Sequence, residues 1–180
     1  FDYIRYPSDG PIKQIATPSK SKPAIMADVF RTIHADLAPQ GIPHSIDTFA
    51  QIVWDESAIG IGQRFEDTFH EFDAIAPMVY PSHFANNFLG FANPAAHPRE
   101  IVKGTAQLAA KKLMAAGIPV KKYRPWLQDF DMGANYGPAE VRAEIDETEK
   151  VGAGGWMLWN ARNVYTTAAL RPETSALEVK

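Results

Sequence analysis

The sequence predicts an α/β protein built on a parallel β-sheet, and three observations support this. Segments with strand-like apolar patterns alternate with amphipathic helical segments along the chain, which is the order of βαβ units. Residues 74–80 form a nearly continuous apolar run, which is typical of a strand buried on both faces of a parallel sheet. The tripeptide Gly-Ile-Pro occurs at residues 41–43 and 117–119, each time between the end of a helical segment and the next strand. That recurrence fits two βα units of about 38 residues each, although the same tripeptide is also common in loops after helices.

The first half of the chain contains three predicted strands and two predicted helices. A strand is expected at residues 1–7, followed by a long polar loop. A strong amphipathic helix comes next, with Ser21 as its N-terminal cap and Pro39 at its end. Residues 42–49 are predicted to form a short strand, and residues 63–72 a weak helix that precedes the buried strand.

The second half repeats the alternation of helix and strand. Pro98 opens a second strong helix that ends before Gly117, and a strand is expected at residues 123–128. A third helix at residues 138–151 precedes the last predicted strand at residues 155–159. The charged side chains of the third helix are expected to form its solvated face: Glu140, Arg142, Glu144, Asp146, Glu147, Glu149 and Lys150.

Composition excludes several classes of function. The 18 basic and 21 acidic residues give a net charge of −3, so the chain lacks the basic field that nucleic acid would attract. No apolar run approaches the roughly 20 residues that cross a bilayer. The absence of cysteine removes disulfides, thiolate nucleophiles and cysteine-based zinc sites. We therefore expect no nucleic-acid partner, no membrane span in this segment and no cofactor.

Polar and aromatic side chains follow the predicted strands at the edge where parallel α/β proteins hold their functional groups. In chain order they are Asp2, Arg5, Asp47, Tyr80, His83, Trp126, Gln128, Asp129, Trp159 and Asn160. Sugar C–H faces stack on aromatic rings, and two carboxyl groups can act as acid and base at a glycosidic bond. This combination predicts a site for a carbohydrate.

Each candidate also has a structural interpretation. Asp2 lies three residues before Arg5, so the two side chains could form an ion pair at a strand end. Asp47 could cap a loop, and Asp129 and Asp131 flank an aromatic residue, so that only one of them is expected to face the site, with Asp129 preferred. At least one of Trp126, Trp156 and Trp159 is expected in the core rather than at the sugar.

Metal-dependent and serine-dependent chemistry receive less support from the sequence. The five histidines show no His-x-His or His-Glu-x-x-His spacing. His44 and His83 belong to successive predicted strands and are the remaining candidates for metal ligands, but the last strand ends in Asn160, where an anionic ligand would be favoured. No serine lies in a Gly-x-Ser-x-Gly elbow, and no complete phosphate-binding glycine motif follows a strand. The sequence therefore assigns no metal site.

Four separate blocks of the sequence carry a resemblance to a known family. They are residues 1–10 (FDYIRYPSDG), 76–84 (APMVYPSHF), 124–130 (RPWLQDF) and 155–160 (GWMLWN). In order and spacing these blocks resemble the bacterial DUF4015 family of glycoside hydrolase-like proteins. The family resemblance implies a (β/α)8 barrel related to retaining glycosidases.

The resemblance also implies where the chain lies in the barrel. The four blocks would fall at the ends of strands four, six, seven and eight, and residues 42–49 would supply strand five. We therefore expect residues 1–165 to be the C-terminal portion of a barrel, about strands 4 to 8, and residues 166–180 to be a tail. A whole barrel needs about 250 residues, which is consistent with a portion. Alone, such a portion would expose open strand edges, so we expect it to be unstable or prone to aggregation.

By resemblance, the activity is hydrolysis of a poly- or oligosaccharide in an extracytoplasmic location. Asp2 would be the nucleophile or electrostatic stabiliser, kept ionised by Arg5, and Asp129 or Asp47 the general acid/base. The substrate-binding residues would be Arg5, Tyr80, His83, Trp126, Gln128, Trp159 and Asn160. No glutamate lies at these strand ends, so the choice of acid/base stays open. The alternatives are a non-catalytic carbohydrate-binding module and a metal-dependent barrel hydrolase.

Overall fold

A computed structural model describes residues 1–11 and 19–171 and contains three α-helices and four strands in these ranges. The helices are α1 (Lys22–Leu37), α2 (Pro98–Ala115) and α3 (Pro138–Lys150). The strands are β1 (Ser45–Phe49), β2 (Ala74–Val79), β3 (Trp126–Gln128) and β4 (Met157–Trp159), joined in several places by short 3₁₀ turns. The alternating order confirms the α/β class that the sequence predicts.

The four strands form one parallel sheet in the order β1-β2-β3-β4, the same as their order in the chain. The register aligns Asp47 with Ala76, Met78 with Trp126, and Gln128 with Trp159. Because all strands run in the same direction, their carboxyl ends meet at one edge of the sheet. This sequential order, with helices between the strands, is that of consecutive units of a barrel wall.

The helices cover one face of the sheet and form two apolar clusters with it. Phe30 of α1 and Leu113 of α2 pack with Ile46 and Ile75 of the sheet. Side chains of α2 and α3 pack with Val79 and strand β3 in the second cluster. Since side chains alternate along a strand, the residues between these positions face the opposite side, away from the three α-helices of the described residues.

The termini of the helices follow the signals in the sequence. The Ser21 hydroxyl accepts a hydrogen bond from the Ala24 N–H at 3.4 Å, which confirms Ser21 as the cap of α1. Pro98 occupies the first turn of α2, where its missing N–H costs nothing. Gly117 follows α2 with a φ of +71°, a conformation that favours glycine.

Two predicted elements differ from the structure. Residues 1–7 do not form a regular strand; only Phe1 pairs with β1, donating from its N to Ser45 O (2.7 Å) and accepting from Asp47 N (2.8 Å). The predicted helix at 63–72 is reduced to a 3₁₀ turn at Glu66–Thr68. Phe65 and Phe69 of that segment are buried in the core, so its apolar spacing reflects packing of an irregular loop.

The prediction that the charged side chains of α3 are solvated is wrong for two of them. Glu144 is fully buried, and Glu147 is buried except for 5% of its surface. Glu147 is paired with Arg99 of α2 and with Lys150, which explains how its charge is accommodated. Glu144 has no cationic partner within the described residues; it accepts hydrogen bonds from the Gln128 N–H (2.8 Å) and the Tyr136 hydroxyl (2.9 Å). Burial raises its pKa well above the ordinary value of a glutamate.

Residues 166–171 contact the domain. Thr166 donates two hydrogen bonds to Asp129, Ala169 is buried, and Arg171 pairs with Asp146 of α3 at 3.0 Å. The predicted tail from residue 172 onward lies outside the described residues. Within the described ranges, no helix is long and apolar enough to cross a membrane.

Gly154, in the connection between α3 and β4, provides a test of this packing. A Cβ at this position would lie 1.9 Å from the backbone oxygen of Lys121, which cannot rotate away. We expect Gly154→Ala to destabilise the fold by about 2 kcal/mol or more, as overpacking against backbone does. The measurement is the denaturant midpoint of the purified protein.

The matched control is Gly152→Ala in the same connection. Its Cβ would meet nothing within 4 Å, and only its φ of +78° opposes a side chain. Its cost should stay near 1 kcal/mol. Equal stability of the two variants would contradict the close approach at Gly154.

Candidate active site

A pocket of about 510 Å³ opens on the face of the sheet that the helices do not cover, near the carboxyl ends of the strands. Its lining alternates along the strands: Asp47 and Phe49 come from β1, and Met78 and Tyr80 from β2 and its end. The complete lining is Asp2, Tyr3, Asp47, Phe49, Gln51, Ile59, Gln63, Met78, Tyr80, His83, Trp126 and Trp159. Six of the ten residues that the sequence singles out therefore share one cavity.

Two carboxylates, Asp2 and Asp47, line the pocket in different surroundings. Asp47 is half-buried, and its Oδ1 accepts a hydrogen bond of 2.9 Å from the Trp126 indole Nε1–H. Burial, and secondarily the negative charge of Asp2, raise the pKa of Asp47, while the bond from Trp126 opposes this. Asp2 is exposed, and its Oδ1 accepts a bond from the Tyr3 N–H at 2.6 Å. Asp47 is thus biased toward its protonated form, whereas Asp2, the other carboxylate of the pocket, is exposed to solvent.

Aromatic side chains frame the two carboxylates. The rings of Trp126 and Trp159 meet edge to face, with centroids 6.1 Å apart. Trp159 is 43% exposed and Tyr3 is 70% exposed, so both rings present surface to solvent, although Arg5 lies over one face of Tyr3. Tyr80 is buried, and its burial together with the charges of Asp47 and Asp2 raises the pKa of its hydroxyl. The phenol therefore stays neutral and can donate a hydrogen bond.

His83 lies in the 3₁₀ turn Pro81–His83 that follows β2. Its ring packs against the edges of Tyr80 and Phe130, with centroid distances of 5.3 and 6.2 Å. Partial burial lowers the pKa of its imidazole, so the ring is neutral near pH 7. Its backbone oxygen accepts a bond of 3.0 Å from Gln51, another lining residue.

Asp129, one of the two acid/base candidates of the sequence prediction, does not line the pocket. Its side chain is almost fully buried, and both oxygens are occupied by Thr166: Oδ2 accepts from the N–H at 2.8 Å and Oδ1 from the hydroxyl at 2.6 Å. These bonds tie residue 166 to the end of β3. Asp129 therefore does not belong to the cavity lining that Asp2 and Asp47 share.

Gln128 and Asn160 are buried and absent from the pocket lining. Their side chains connect strand ends by hydrogen bonds. The Gln128 side chain bonds Ser82 and the Phe130 backbone oxygen. Asn160 donates from Nδ2 to the Asp129 backbone oxygen and accepts from the Arg162 N–H at 2.8 Å. Both side chains position neighbouring segments of backbone.

Arg5 does not form the expected pair with Asp2. Its guanidinium bonds the Tyr3 hydroxyl (2.7 Å), Asp9 (3.0 Å) and the Ser8 hydroxyl, and it lies over the Tyr3 ring. The prediction that Arg5 holds Asp2 ionised is therefore wrong in this structure. Arg5 acts on the pocket through Tyr3, whose ring it holds at the rim.

Sequence reasoning missed several lining residues because they come from irregular segments. Gln63 is almost fully buried, accepting from the Phe49 N–H at 3.2 Å and donating to the Ile4 oxygen at 2.7 Å. Ile59 and Gln51 come from short 3₁₀ turns after β1. A polar Gln directly after Gly60-Ile61-Gly62 was the only available signal for Gln63. Phe49 and Met78 were recognisable as strand residues, but not as facing a cavity.

The two histidines considered as metal ligands lie at opposite ends of the strands. His44 precedes β1, and its ring nitrogens contact the backbone oxygens of Ile42 (2.9 Å) and Glu71 (2.8 Å). His83 follows β2 at the pocket. Within residues 1–11 and 19–171, no group of three or more His, Asp or Glu side chains is arranged to hold a metal ion.

The bond from Trp126 to Asp47 yields a prediction about the acid. Replacing Trp126 by Phe removes the N–H that stabilises the carboxylate, so the pKa of Asp47 should rise further above its usual range. The measurement is a ¹³C NMR titration of the aspartate carboxyl carbons, with Asp47→Asn identifying the signal. The control is Trp54→Phe, because that indole donates to Thr105 instead, at 3.1 Å. An unchanged titration in Trp126→Phe would contradict the bond.

The raised pKa of Asp47 also predicts a stability effect. Folding disfavours the charged form of Asp47, so its contribution to stability falls as the pH rises from the ordinary aspartate pKa through the raised value. Asp47→Asn should therefore be more stable than the wild type at pH 7 and equal to it below the ordinary aspartate pKa. Chemical unfolding at several pH values measures this. A variant less stable at pH 7 than at acidic pH, relative to wild type, would contradict it.

Comparisons with known proteins place the chain in a family. A search of curated proteins finds no match. Among solved structures, the glycoside hydrolase domain of PgaB (BpsB) from Bordetella bronchiseptica is similar with a TM-score of 0.54 and 14% identity; the match covers 77% of this chain and 37% of that one. The chain thus spans little more than a third of that structure, whose likeness supports a partial barrel. The family model described as "Putative glycosyl hydrolase domain" matches residues 1–165, and the chain belongs to that family, DUF4015.

Proposed function

We propose that this protein hydrolyses glycosidic bonds in a poly- or oligosaccharide, with Asp47 as general acid/base and Asp2 as its ionised partner. The observation that carries the proposal is the pair itself: two carboxylates line one cavity, Asp47 half-buried with a raised pKa and Asp2 exposed to solvent. Family membership and the fold support a glycosidase-like function. Two carboxyl groups in unequal surroundings suit acid and base work at one glycosidic bond.

Asp47 fits the acid because burial favours its protonated form. In the reaction it would give its proton to the oxygen of the leaving sugar as the bond to the anomeric carbon breaks. The resulting carboxylate would then take a proton from the water that completes hydrolysis. Trp126 holds one oxygen of Asp47 at 2.9 Å, which orients the group and stabilises the carboxylate formed.

Asp2 fits the ionised partner because it is exposed and accepts a bond from the Tyr3 N–H. Its negative charge would stabilise the positive charge that develops at the anomeric carbon. Asp129 is a weaker candidate for the second acid, because Thr166 occupies both of its oxygens. The pairing of Asp2 with Asp47 is therefore preferred over the pairing with Asp129.

The exposed rings of Tyr3 and Trp159 support a carbohydrate as the substrate. Each offers an open aromatic face beside the carboxylates, on which the C–H groups of a sugar ring can stack. The same rings would serve a non-catalytic carbohydrate-binding module, which is the second candidate. The proposed substrate is a polymer located outside the cytoplasm, as the family resemblance implies.

The test compares two variants with a matched control in the protein with its complete natural sequence. Asp47→Asn should reduce release of reducing ends from a panel of neutral, acidic and amino-sugar polysaccharides by about 10²–10⁴-fold, the usual contribution of a general acid. Asp2→Asn should cause a loss of similar size. Asp36→Asn, an exposed carboxylate on α1, should leave the rate unchanged.

Three other outcomes would overturn the assignment. Unchanged turnover in Asp47→Asn and Asp2→Asn would exclude the pair. Binding of a polysaccharide that survives both substitutions, with no hydrolysis by the wild type, would favour the binding module. Loss of activity with a chelator and recovery with zinc or manganese would favour the metal-dependent hydrolase.

A further inference from the structure

A buried amide, that of Gln128, has an orientation that its neighbours determine. Its Nε2 donates to the backbone oxygen of Phe130 at 3.0 Å, and its Oε1 accepts from the Ser82 backbone N–H at 3.1 Å. A flipped amide would place two oxygens together at Phe130 and two donors together at Ser82. The carbonyl oxygen of Gln128 therefore faces Ser82.

The position of that carbonyl determines to which group the Ser82 hydroxyl donates its hydrogen bond. Ser82 Oγ lies 2.8 Å from Gln128 Oε1, which can only accept. The hydroxyl has a single proton, and this bond uses it. Ser82 Oγ also lies 3.0 Å from Nδ1 of His83, and there it can only act as the acceptor. The proton in that contact must therefore reside on His83 Nδ1.

The opposite arrangement is unfavourable because Gln128 is fully buried. If the hydroxyl donated to His83 instead, the Ser82 and Gln128 oxygens would face each other at 2.8 Å with no proton between them. Two acceptors in contact, away from water, lose a hydrogen bond without compensation.

We infer that Ser82 and Gln128 hold His83 in its Nδ1–H tautomer, so that Nε2 presents a lone pair to the pocket and accepts a hydrogen bond from a sugar hydroxyl or amide N–H. Ser82 and Gln128 are positioning residues in this scheme, and His83 is the residue that contacts the ligand. The identity of the ligand as a sugar rests on the proposed function; the tautomer does not.

The surroundings of His83 agree with a neutral ring and a free Nε2. Within the described residues, His83 forms no ion pair with a carboxylate, and its Nε2 makes no hydrogen bond. The ring lines the cavity that also holds Asp2, Asp47 and Tyr80, the titratable groups nearest to a bound ligand. Partial burial lowers the pKa of the imidazole, which disfavours the doubly protonated form.

The tautomer is measured by NMR of ¹⁵N-histidine-labelled protein without ligand. In the wild type at neutral pH, Nδ1 of His83 should have the shift of a protonated nitrogen and Nε2 that of an unprotonated one, with His83→Phe assigning the signals. Ser82→Ala should move the two shifts toward each other or exchange them. Ser82→Thr, which keeps the hydroxyl, should retain the wild-type pattern. Ser57→Ala is the control, because its hydroxyl bonds Asp55 outside the pocket.

A protonated Nε2 in the wild type would overturn the inference even if Ser82→Ala did not fold. A wild-type pattern that persists in Ser82→Ala would overturn the role of Ser82. On a polysaccharide that the protein cleaves, Ser82→Ala should raise KM a few-fold with kcat nearly unchanged, because only a fraction of the rings would present the acceptor. The NMR result is independent of hydrolysis, so failure of the proposed function and failure of this inference remain distinguishable.

Discussion

The parallel pairing of the four strands is the constraint on which the site depends. Because β1 to β4 run in one direction in chain order, residues far apart in sequence reach the same edge of the sheet. Asp47 and Trp126 lie on different strands, with β2 between them, yet their side chains are hydrogen bonded across the sheet. Side-chain alternation directs these groups away from the helices. Any shift of register by one residue would turn the carboxylate and the indole toward the helices.

Buried polar side chains connect the strand ends by hydrogen bonds where the strands of the sheet are short. Strands β3 and β4 have only three residues each, so backbone pairing alone holds little of the edge. Glu144 of α3 accepts from the Gln128 N–H, and the Gln128 side chain in turn holds the loop after β2. The Asp129 side chain likewise holds residue 166, by accepting a hydrogen bond from the Thr166 N–H. These groups are buried with their hydrogen bonds made, and the energetic cost of leaving any one unpaired makes the geometry of the edge specific.

The chemistry of the pocket arises from unequal solvation of similar groups. Asp2 and Asp47 are the same residue type, but one is exposed and the other is half-buried beside an indole donor. Burial and repulsion from Asp2 both raise the pKa of Asp47. A raised pKa favours the protonated form, which is the form that a carboxylic acid needs to act as a proton donor. Tyr80 and His83 line the same cavity, where burial raises the pKa of the phenol and lowers that of the imidazole. Both shifts favour the neutral form. The pocket thus combines a solvated carboxyl group, Asp2, with three groups whose neutral forms are favoured.

The sequence by itself determined the α/β class, three helices, the four later strands and the family, because apolar periodicity, caps and spaced motifs are local properties. It also identified most of the polar residues at the strand ends. Only the tertiary structure decided which of them face the cavity: Asp47 does, while Asp129, equally placed in sequence, is bound by Thr166. The same holds for Glu144, whose charged neighbours suggested a solvated face, and for Gln63, which reaches the site from an irregular loop. Orientation, burial and hydrogen-bond partners depend on contacts between distant segments, and no local pattern records them.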